Sequence, residues 1–331
     1  MNKISNDLIS SEPSTTHQDV ERGRGVTKTV HIKQRVDGIV IVNKPINLTS
    51  NAVLQRVKHL YHAKKAGHTG SLDPMATGML PLCFGEATKV SQFLLDADKC
   101  YEVTGLLGVK TNTGDAMGEV IATTTDFTIT HSMLTELLSG FTGPIQQVPP
   151  MFSALKHKGL PLYKLARAGI EIERKPRNIV IHDLQLNDFD GKQLKLTVRC
   201  SKGTYIRSLI EDIGECLGVG AHVTQLHRCY TAGFEGVTMY SLDELMAKSP
   251  EQLMDCLLPT DRAIQGLPIV HLSNEQVLML YQGKMIEDLT LASNIADYVR
   301  LYENDTTFIG LGEIEEAGVL KAKRLIAREM G

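Results

Sequence analysis

The stretch Gly67–Gly78, Gly-His-Thr-Gly-Ser-Leu-Asp-Pro-Met-Ala-Thr-Gly, constrains this chain more than any other. Three glycines and a proline within twelve residues exclude a helix interior and a central strand, and require a tight turn system. The only carboxylate in the stretch, Asp73, stands between Leu72 and Pro74. A proline drives the residue before it toward extended backbone, which fixes the direction of the Asp73 side chain. The nearest lysines or arginines in sequence are Lys65 and Lys89, so no close neighbour neutralises it. A carboxylate held rigidly among small residues suits a nucleophile or a base. Asp-Pro also makes ordinary turns, and turn chemistry alone leaves both readings open.

The elements around the loop follow from hydrophobic pattern. The β-branched run Val36–Val42 predicts a buried strand closed by Asn43-Lys44-Pro45. Ser50 then serves as N-cap of a helix carrying Val53, Leu54, Val57, Leu60 and Tyr61 at helical spacing. Beyond the loop, Met79–Leu82 and the helical segment Val90–Leu95 read as core. Tyr101–Val109 alternates as a strand and leads to a polar turn containing Asp115. A short amphipathic helix is expected over 131–141, and strands over Ile179–Leu186, Leu194–Cys200 and His222–Tyr230. The turn Ser201-Lys202-Gly203-Thr204-Tyr205-Ile206-Arg207 opens a helix over Ser208–Leu217. Tyr205 and Arg207 therefore emerge at a helix start, where an anion is favoured; an exposed start with an ordinary arginine fits equally well.

Composition divides the chain. Residues 1–34 are polar and poor in large apolar side chains, and predict a disordered arm. Residues 35–262 form the main body, and residues 263–331 change texture. There, a helix near Asn274–Tyr281 is followed by short strands over Tyr298–Tyr302, Phe308–Ile314 and Val319–Leu325, which predict a small β-barrel. The formal charge of -3 hides an acidic C-terminal end, with seven basic against thirteen acidic residues in 251–331. It therefore excludes no nucleic-acid partner. Residues 149–177 run the other way, with Lys156, Lys158, Lys164, Arg167, Arg174, Lys175 and Arg177 against Glu171 and Glu173. Phe152, His157 and Tyr163 are interleaved. Such a segment can follow a phosphate backbone and stack on bases, or it can be a solvated face packed by its stems.

Six scattered cysteines without a Cys-x-x-Cys pair argue against a zinc site or a disulfide framework. No basic-then-apolar leader opens the sequence, and no apolar run approaches the roughly 20 residues of a membrane span. A soluble cytoplasmic protein is the expectation. Phosphate-loop, Gly-x-Ser-x-Gly and His-Glu-x-x-His signatures are missing. The residues alone support an acid-dependent reaction on a polyanionic substrate.

The Gly67–Gly78 string, with Leu72-Asp73-Pro74 at its centre, resembles the signature of TruB-type tRNA pseudouridine-55 synthases. Further segments resemble the family in its order: Asp37-Gly38 with Lys44-Pro45 and Thr49-Ser50-Asn51, then Gly85-Glu86-Ala87-Thr88-Lys89. Ser153-Ala154-Leu155-Lys156 and Lys202–Arg207 follow, and the likeness runs from about residue 36 to the C-terminus. It implies an α+β pseudouridine synthase fold, with a mixed, largely antiparallel sheet flanked by helices and a PUA-like C-terminal barrel. It also implies isomerisation of uridine 55 in the T-loop of tRNA, with no cofactor, no metal and no obligatory protein partner, by a monomer. By the same resemblance Asp73 is the nucleophile and Arg207 its ion-pair partner, and Tyr101 stacks on the flipped base and is a candidate for proton handling. His68, Tyr205 and Leu226 line the substrate pocket, Lys89 and Asp115 support it, and residues 149–177 grip the T-arm. An RNA-binding module that had lost the chemistry would have been expected to lose Asp73 or Arg207, and both stand.

Overall fold

The structure, a computed structural model, describes residues 33–287, 297–315 and 318–327. The arm expected over 1–34 lies outside them, except for its last two residues. Strand β1 (Gly38–Lys44) sends Val40 and Val42 into one apolar cluster and Ile39 and Ile41 into another. Successive strand side chains point to opposite faces, so an unbroken apolar run means a strand covered on both sides. Helix α1 (Ser50–Leu60) seals the first cluster with Val53, Leu54 and Val57. Its cap is Thr49, whose side chain accepts from the Ala52 amide, and not Ser50 as the sequence suggested. Ser50 instead donates its hydroxyl to the Leu72 carbonyl (3.2 Å) and accepts from the Leu72 amide (2.8 Å). That pair of bonds ties the helix start to the loop carrying Asp73. Strands β2 (Ala66–His68) and β3 (Thr77–Phe84) bracket the loop and pair antiparallel.

The chain continues through α2 (Ser91–Asp96), β4 (Lys99–Leu107) and the hairpin of β5 (Val109–Thr111) and β6 (Val120–Thr123). Helix α3 (His131–Ser139) and β7 (Gly143–Gln147) precede a small hairpin, β8 (Lys156–His157) with β9 (Leu160–Pro161). Helix α4 (Leu162–Arg167) completes the basic segment, and then come β10 (Arg177–Phe189), β11 (Gln193–Cys200), α5 (Ile206–Cys216) and β12 (Ala221–Thr231). An eight-stranded sheet results, in the order β1-β3-β12-β4-β11-β10-β7, with β2 alongside β3. Its pairings are antiparallel except where β12 meets β3, in parallel, at His227–Thr77 and Arg228–Gly78. This is the mixed, largely antiparallel sheet that the resemblance implied. In β11 the alternation is plain: Leu194, Leu196, Val198 and Cys200 are buried beneath Leu209, Ile210 and Ile213 of α5.

Helices α6 (Leu242–Met246) and α7 (Pro250–Met254) lead to β13 (Ile269–Leu272), α8 (Asn274–Tyr281), β14 (Tyr298–Glu303), β15 (Thr307–Ile314) and β16 (Leu320–Leu325). These four strands form an open sheet in the order β13-β14-β15-β16; the barrel expected over 263–331 is not closed among the described residues. Ile286 bridges to Leu320 at the β16 edge, and apolar side chains cover both faces of the sheet. Val277 and Leu280 of α8 fill one side against Leu301, Ile309 and Leu320. On the other side Leu311 joins Val90 and Leu94 of the main body, and the Phe93 and Tyr298 rings meet edge to face at 5.5 Å. Among the described residues no helix is long and apolar enough to cross a membrane.

Gly78 makes the parallel seam possible. Its φ is +102°, and a Cβ there would stand 2.3 Å from the Arg228 carbonyl oxygen and 2.8 Å from its amide nitrogen, both immovable backbone. We expect Gly78→Ala to lower stability by about 2–4 kcal/mol through strain and separation of the two strands. Urea unfolding followed by circular dichroism measures it, and an unchanged midpoint would contradict the seam's role.

Candidate active site

The Asp73 loop is held from several directions. Buried Lys44, at the end of β1, donates its ammonium to the carbonyls of Pro45 (2.9 Å), Leu48 (2.6 Å) and Pro74 (3.2 Å). The Asn47 amide donates to the same Pro74 carbonyl, and the Ala76 amide closes a turn onto the Asp73 carbonyl. Arg228, on β12, is 1% exposed and donates Nε to the Met79 carbonyl (2.7 Å) and an Nη to the Gly70 carbonyl (3.2 Å). Carbonyls in a turn have no ladder partner, so burying them demands donors of this kind.

Arg207, in the first turn of α5, meets Asp73 as a fork. Its Nε donates to Oδ2 at 2.8 Å and an Nη to Oδ1 at 3.2 Å. Two further donors go to the carbonyls of Thr113 (2.7 Å) and Phe152 (2.7 Å), so the guanidinium is fixed to the β5–β6 hairpin and to the basic segment at once. Asp115 lies 3.9 Å away and is itself held by the Thr113 hydroxyl and the Met117 amide. Arg207 is 3% exposed, whereas the Asp73 side chain is 35% exposed. The carboxylate is thus gripped from behind and open in front. The start of α5 is fixed by buried Gln147, whose side-chain oxygen accepts from the Tyr205 amide (2.8 Å) and whose amide donates to the Tyr205 carbonyl (3.0 Å).

Tyr101, Leu226, Leu72, Met75 and Ala76 share one apolar cluster, so the loop's apolar side chains are buried together with Tyr101, and Met75 and Leu226 also line a cavity beside it. The Tyr101 phenol feels the charges of both Asp73 and Arg228, and Tyr205 those of Asp73 and Arg207. His68, at the end of β2, faces Arg228, and its buried Nδ1 has no hydrogen-bond partner among the described residues. The sequence-derived set is therefore brought together except for Lys89. That lysine donates to Glu86 (2.6 Å) and to the Leu325 carbonyl (2.8 Å), while Glu86 accepts from the Ala327 amide (2.6 Å). Its bonds fasten the C-terminal sheet to the main body.

Comparison with known proteins accords with this geometry. Family models for the TruB family pseudouridylate synthase N-terminal domain match residues 58–206, and those for two TruB C-terminal domains match 207–265 and 268–326. A tRNA pseudouridine synthase B of Legionella pneumophila (strain Philadelphia 1) is 56% identical over 299 residues, covering 90% of this chain and 98% of its own. The chain belongs to the TruB family of pseudouridine synthases. A relative of the same name from Pseudomonas putida (strain F1) is 47% identical over 304 residues, covering 90% of this chain and 98% of its own. Among solved structures, a chain of a Cbf5-Nop10-Gar1 complex superposes with a TM-score of 0.68 at 25% identity, covering 89% of this chain and 85% of that one.

Three residues of the synthase's site escaped the sequence reading as functional groups: Lys44, Arg228 and Gln147. Lys44 had a signal, since a lysine ending an unbroken apolar strand must either leave the core or find acceptors within it. Burial pushes its ammonium down to about 8, while the Asp73 charge pulls the other way. Burial and Arg228 lower the His68 imidazole below its usual range, which keeps it neutral near pH 7. Burial raises the Tyr101 phenol, so it stays protonated. For Asp73, burial pushes the carboxyl up and Asp115 adds to this, against the pull of Arg207.

A carboxylate with a raised pKa loses its charge as pH falls through that value, so the synthase should lose activity on acidification with a midpoint above the unperturbed aspartate value of 3.8. Arg207→Lys breaks the fork, weakens the opposing pull and should move the midpoint to higher pH. Single-turnover rates across pH test both statements. A midpoint unmoved by Arg207→Lys would disconnect the pair from the chemistry.

Proposed function

We propose that this synthase isomerises uridine 55 in the T-loop of tRNA to pseudouridine, with Asp73 as the nucleophile. The observation that carries the reading is the Arg207 fork, which holds one face of the Asp73 carboxylate and leaves the other open. A uridine inside a folded loop hides its glycosidic bond, so the base must be extruded and stacked in a pocket. Tyr101 offers the aromatic face, with Leu226 beside it in the same apolar cluster. Tyr205 lies within reach of the Asp73 and Arg207 charges, and His68 within reach of Arg228.

Isomerisation breaks C1′–N1, turns the uracil and forms C1′–C5; the proton on C5 leaves and N1 ends protonated. Attack at C1′, attack at C6 and removal of the C2′ proton all require the same group, an ionised carboxylate with a free lone pair facing the sugar and base. Arg207 keeps that carboxylate charged and fixes its rotamer, which supplies orientation before the substrate arrives. The neutral Tyr101 phenol, facing Arg228, is placed to handle a proton near the base. The basic segment supports the tRNA assignment, since Lys156, Lys158, Lys164, Arg167, Lys175 and Arg177 are exposed. Arg174 is different: it holds the segment's ends together through the Pro149 and Ile172 carbonyls. Exposed cations on a segment whose Phe152 carbonyl also holds Arg207 connect tRNA grip to the catalytic pair. In this reading the enzyme works in the cytoplasm, as a monomer without a cofactor.

The test uses an unmodified tRNA transcript and chemical mapping of pseudouridine, because isomerisation leaves mass unchanged. Wild type should modify uridine 55. Asp73→Asn should abolish product, a loss of at least about four orders of magnitude, while filter binding still shows tRNA retained. Undiminished product from Asp73→Asn would remove the nucleophile assignment, and product at another uridine would remove the site assignment.

A further inference from the structure

Between Asp37 and Asp73 the chain contains no aspartate or glutamate at all. With 38 acidic residues in 331, about four would be expected in such a run. The basic residues in it do not scatter. Helix α1 begins beside the Asp73 loop, where Ser50 holds Leu72, and runs away from it for eleven residues, about 16 Å at 1.5 Å per residue. Its inner face enters the core through Val53, Leu54 and Val57. Arg56, on its outer face, is exposed, and Lys58 is half-buried near the helix end. Lys64 and Lys65, both exposed, follow as the chain turns back toward β2 and His68. The segment before β1 lies against this turn, with the Gln34 amide donating to the His62 carbonyl and the Lys64 amide donating to the Gln34 carbonyl. Exposed Lys33 is thereby added to the same edge.

None of these five side chains is paired with a carboxylate among the described residues, unlike Lys110, Lys195, Lys202 and Lys321, which form ion pairs elsewhere on the surface. A solvated face that served only solubility would mix its signs, as those pairs do. An unopposed basic edge leading away from the catalytic loop fits a continuous polyanion. The Gly85 amide donates to the Lys65 carbonyl, which sets Asp37 and Glu86 beside the strip, but these are paired with Arg35 and Lys89; on α6, which packs against α1, Glu244 is occupied in capping Ser241.

We propose that the edge formed by Lys33, Arg56, Lys64 and Lys65 is a second tRNA-binding surface, which takes the sugar-phosphate backbone outside the T-arm; half-buried Lys58, two residues beyond Arg56, turns to the other flank of α1. It rests on tRNA being the substrate. The strip and the basic segment of residues 149–177 lie far apart in sequence, yet both reach the Asp73–Arg207 pair, one through the Ser50–Leu72 bonds and the other through the Phe152 carbonyl. One RNA can therefore span both when it presents its T-loop to Asp73.

The experiment compares Arg56→Ala/Lys64→Ala/Lys65→Ala with wild type on two RNAs, a full-length unmodified tRNA and an isolated T-arm hairpin. Exposed alanines at these positions leave the core untouched, and a melting curve by circular dichroism checks that. For full-length tRNA the triple variant should bind about tenfold more weakly near 0.1 M salt, and the slope of log affinity against log salt should be shallower by about two to three. Its single-turnover rate at saturating RNA should match wild type, and its affinity for the hairpin should be unchanged. Equal losses on both RNAs would place the contact within the T-arm and overturn the proposal, as would no loss on either. A wild type that forms no pseudouridine in either RNA would instead remove the functional reading on which the proposal rests.

Discussion

The fork between Arg207 and Asp73 is the contact on which the rest of this structure depends. A carboxylate drawn into a protein interior loses hydration and tends to take a proton. Arg207 opposes that tendency with two charge-assisted bonds at fixed geometry. A guanidinium that is 3% exposed must itself be satisfied, and the carbonyls of Thr113 and Phe152 take two more of its donors. Each of those carbonyls belongs to a different excursion from the sheet, so satisfying one arginine also fixes the hairpin and the basic segment. Asp115 adds negative charge nearby and keeps Arg207 from belonging to Asp73 alone. The outcome is a carboxyl that burial and Asp115 push up and Arg207 pulls down, with the upward push the larger.

The same device recurs around the pocket. Lys44, Lys99 and Arg228 are buried, and each donates to backbone carbonyls: Lys44 to Pro45, Leu48 and Pro74, and Arg228 to Gly70 in the loop and Met79 on β3. Lys99 reaches Leu94, Leu95 and Ala97. Neutral side chains offer fewer donors at a greater reach, so a single ammonium that satisfies three carbonyls is an efficient brace for a loop without ladder bonds. Desolvation offsets part of the gain, as the lowering of Lys44 and Lys99 to about 8 shows. What the braces add is position and positive potential. The Asp73 loop is glycine-rich, and without them it would sample many backbone states.

Much of this was legible in the sequence, for reasons that differ by residue. The loop declared itself because glycines and Pro74 have strong local meaning, β1 because its β-branched run is unbroken, and α1 because its apolar residues recur at helical spacing. Asp73, Arg207, Tyr101, Tyr205, His68 and Leu226 were placed by resemblance, and the structure brings them to one end of the sheet. The braces were illegible because Lys44, Gln147 and Arg228 differ from surface residues only in what they touch, which is set by tertiary packing. The cap of α1 was read one residue late, since Thr49 and Ser50 both suit the position and only the Leu72 contact separates them. Lys89 sits in a motif of the family, yet its bonds run to Glu86 and Leu325. The short strands of the C-terminal region were legible from their spacing, and among the described residues they form a four-stranded sheet that is not closed.

Register decides whether the parts meet. Strand β12 pairs with β4 so that Arg228 stands opposite Tyr101 and Leu226 opposite Val103, while its parallel seam sets Arg228 against Gly78 at the end of the Asp73 loop. A slip of one residue would turn every side chain of β12 to the other face and carry Arg228 away from both. Two register shifts in β12, between Val223 and Gln225 and between Arg228 and Tyr230, bracket this stretch. A bulge breaks strict alternation and bends the strand locally. Because it lies on both sides of Gln225–Arg228, that segment is free to take the orientation the pocket needs while the outer parts of β12 keep the pairing the core needs. The irregularities thus separate two demands on one strand, packing at its ends and aiming in its middle.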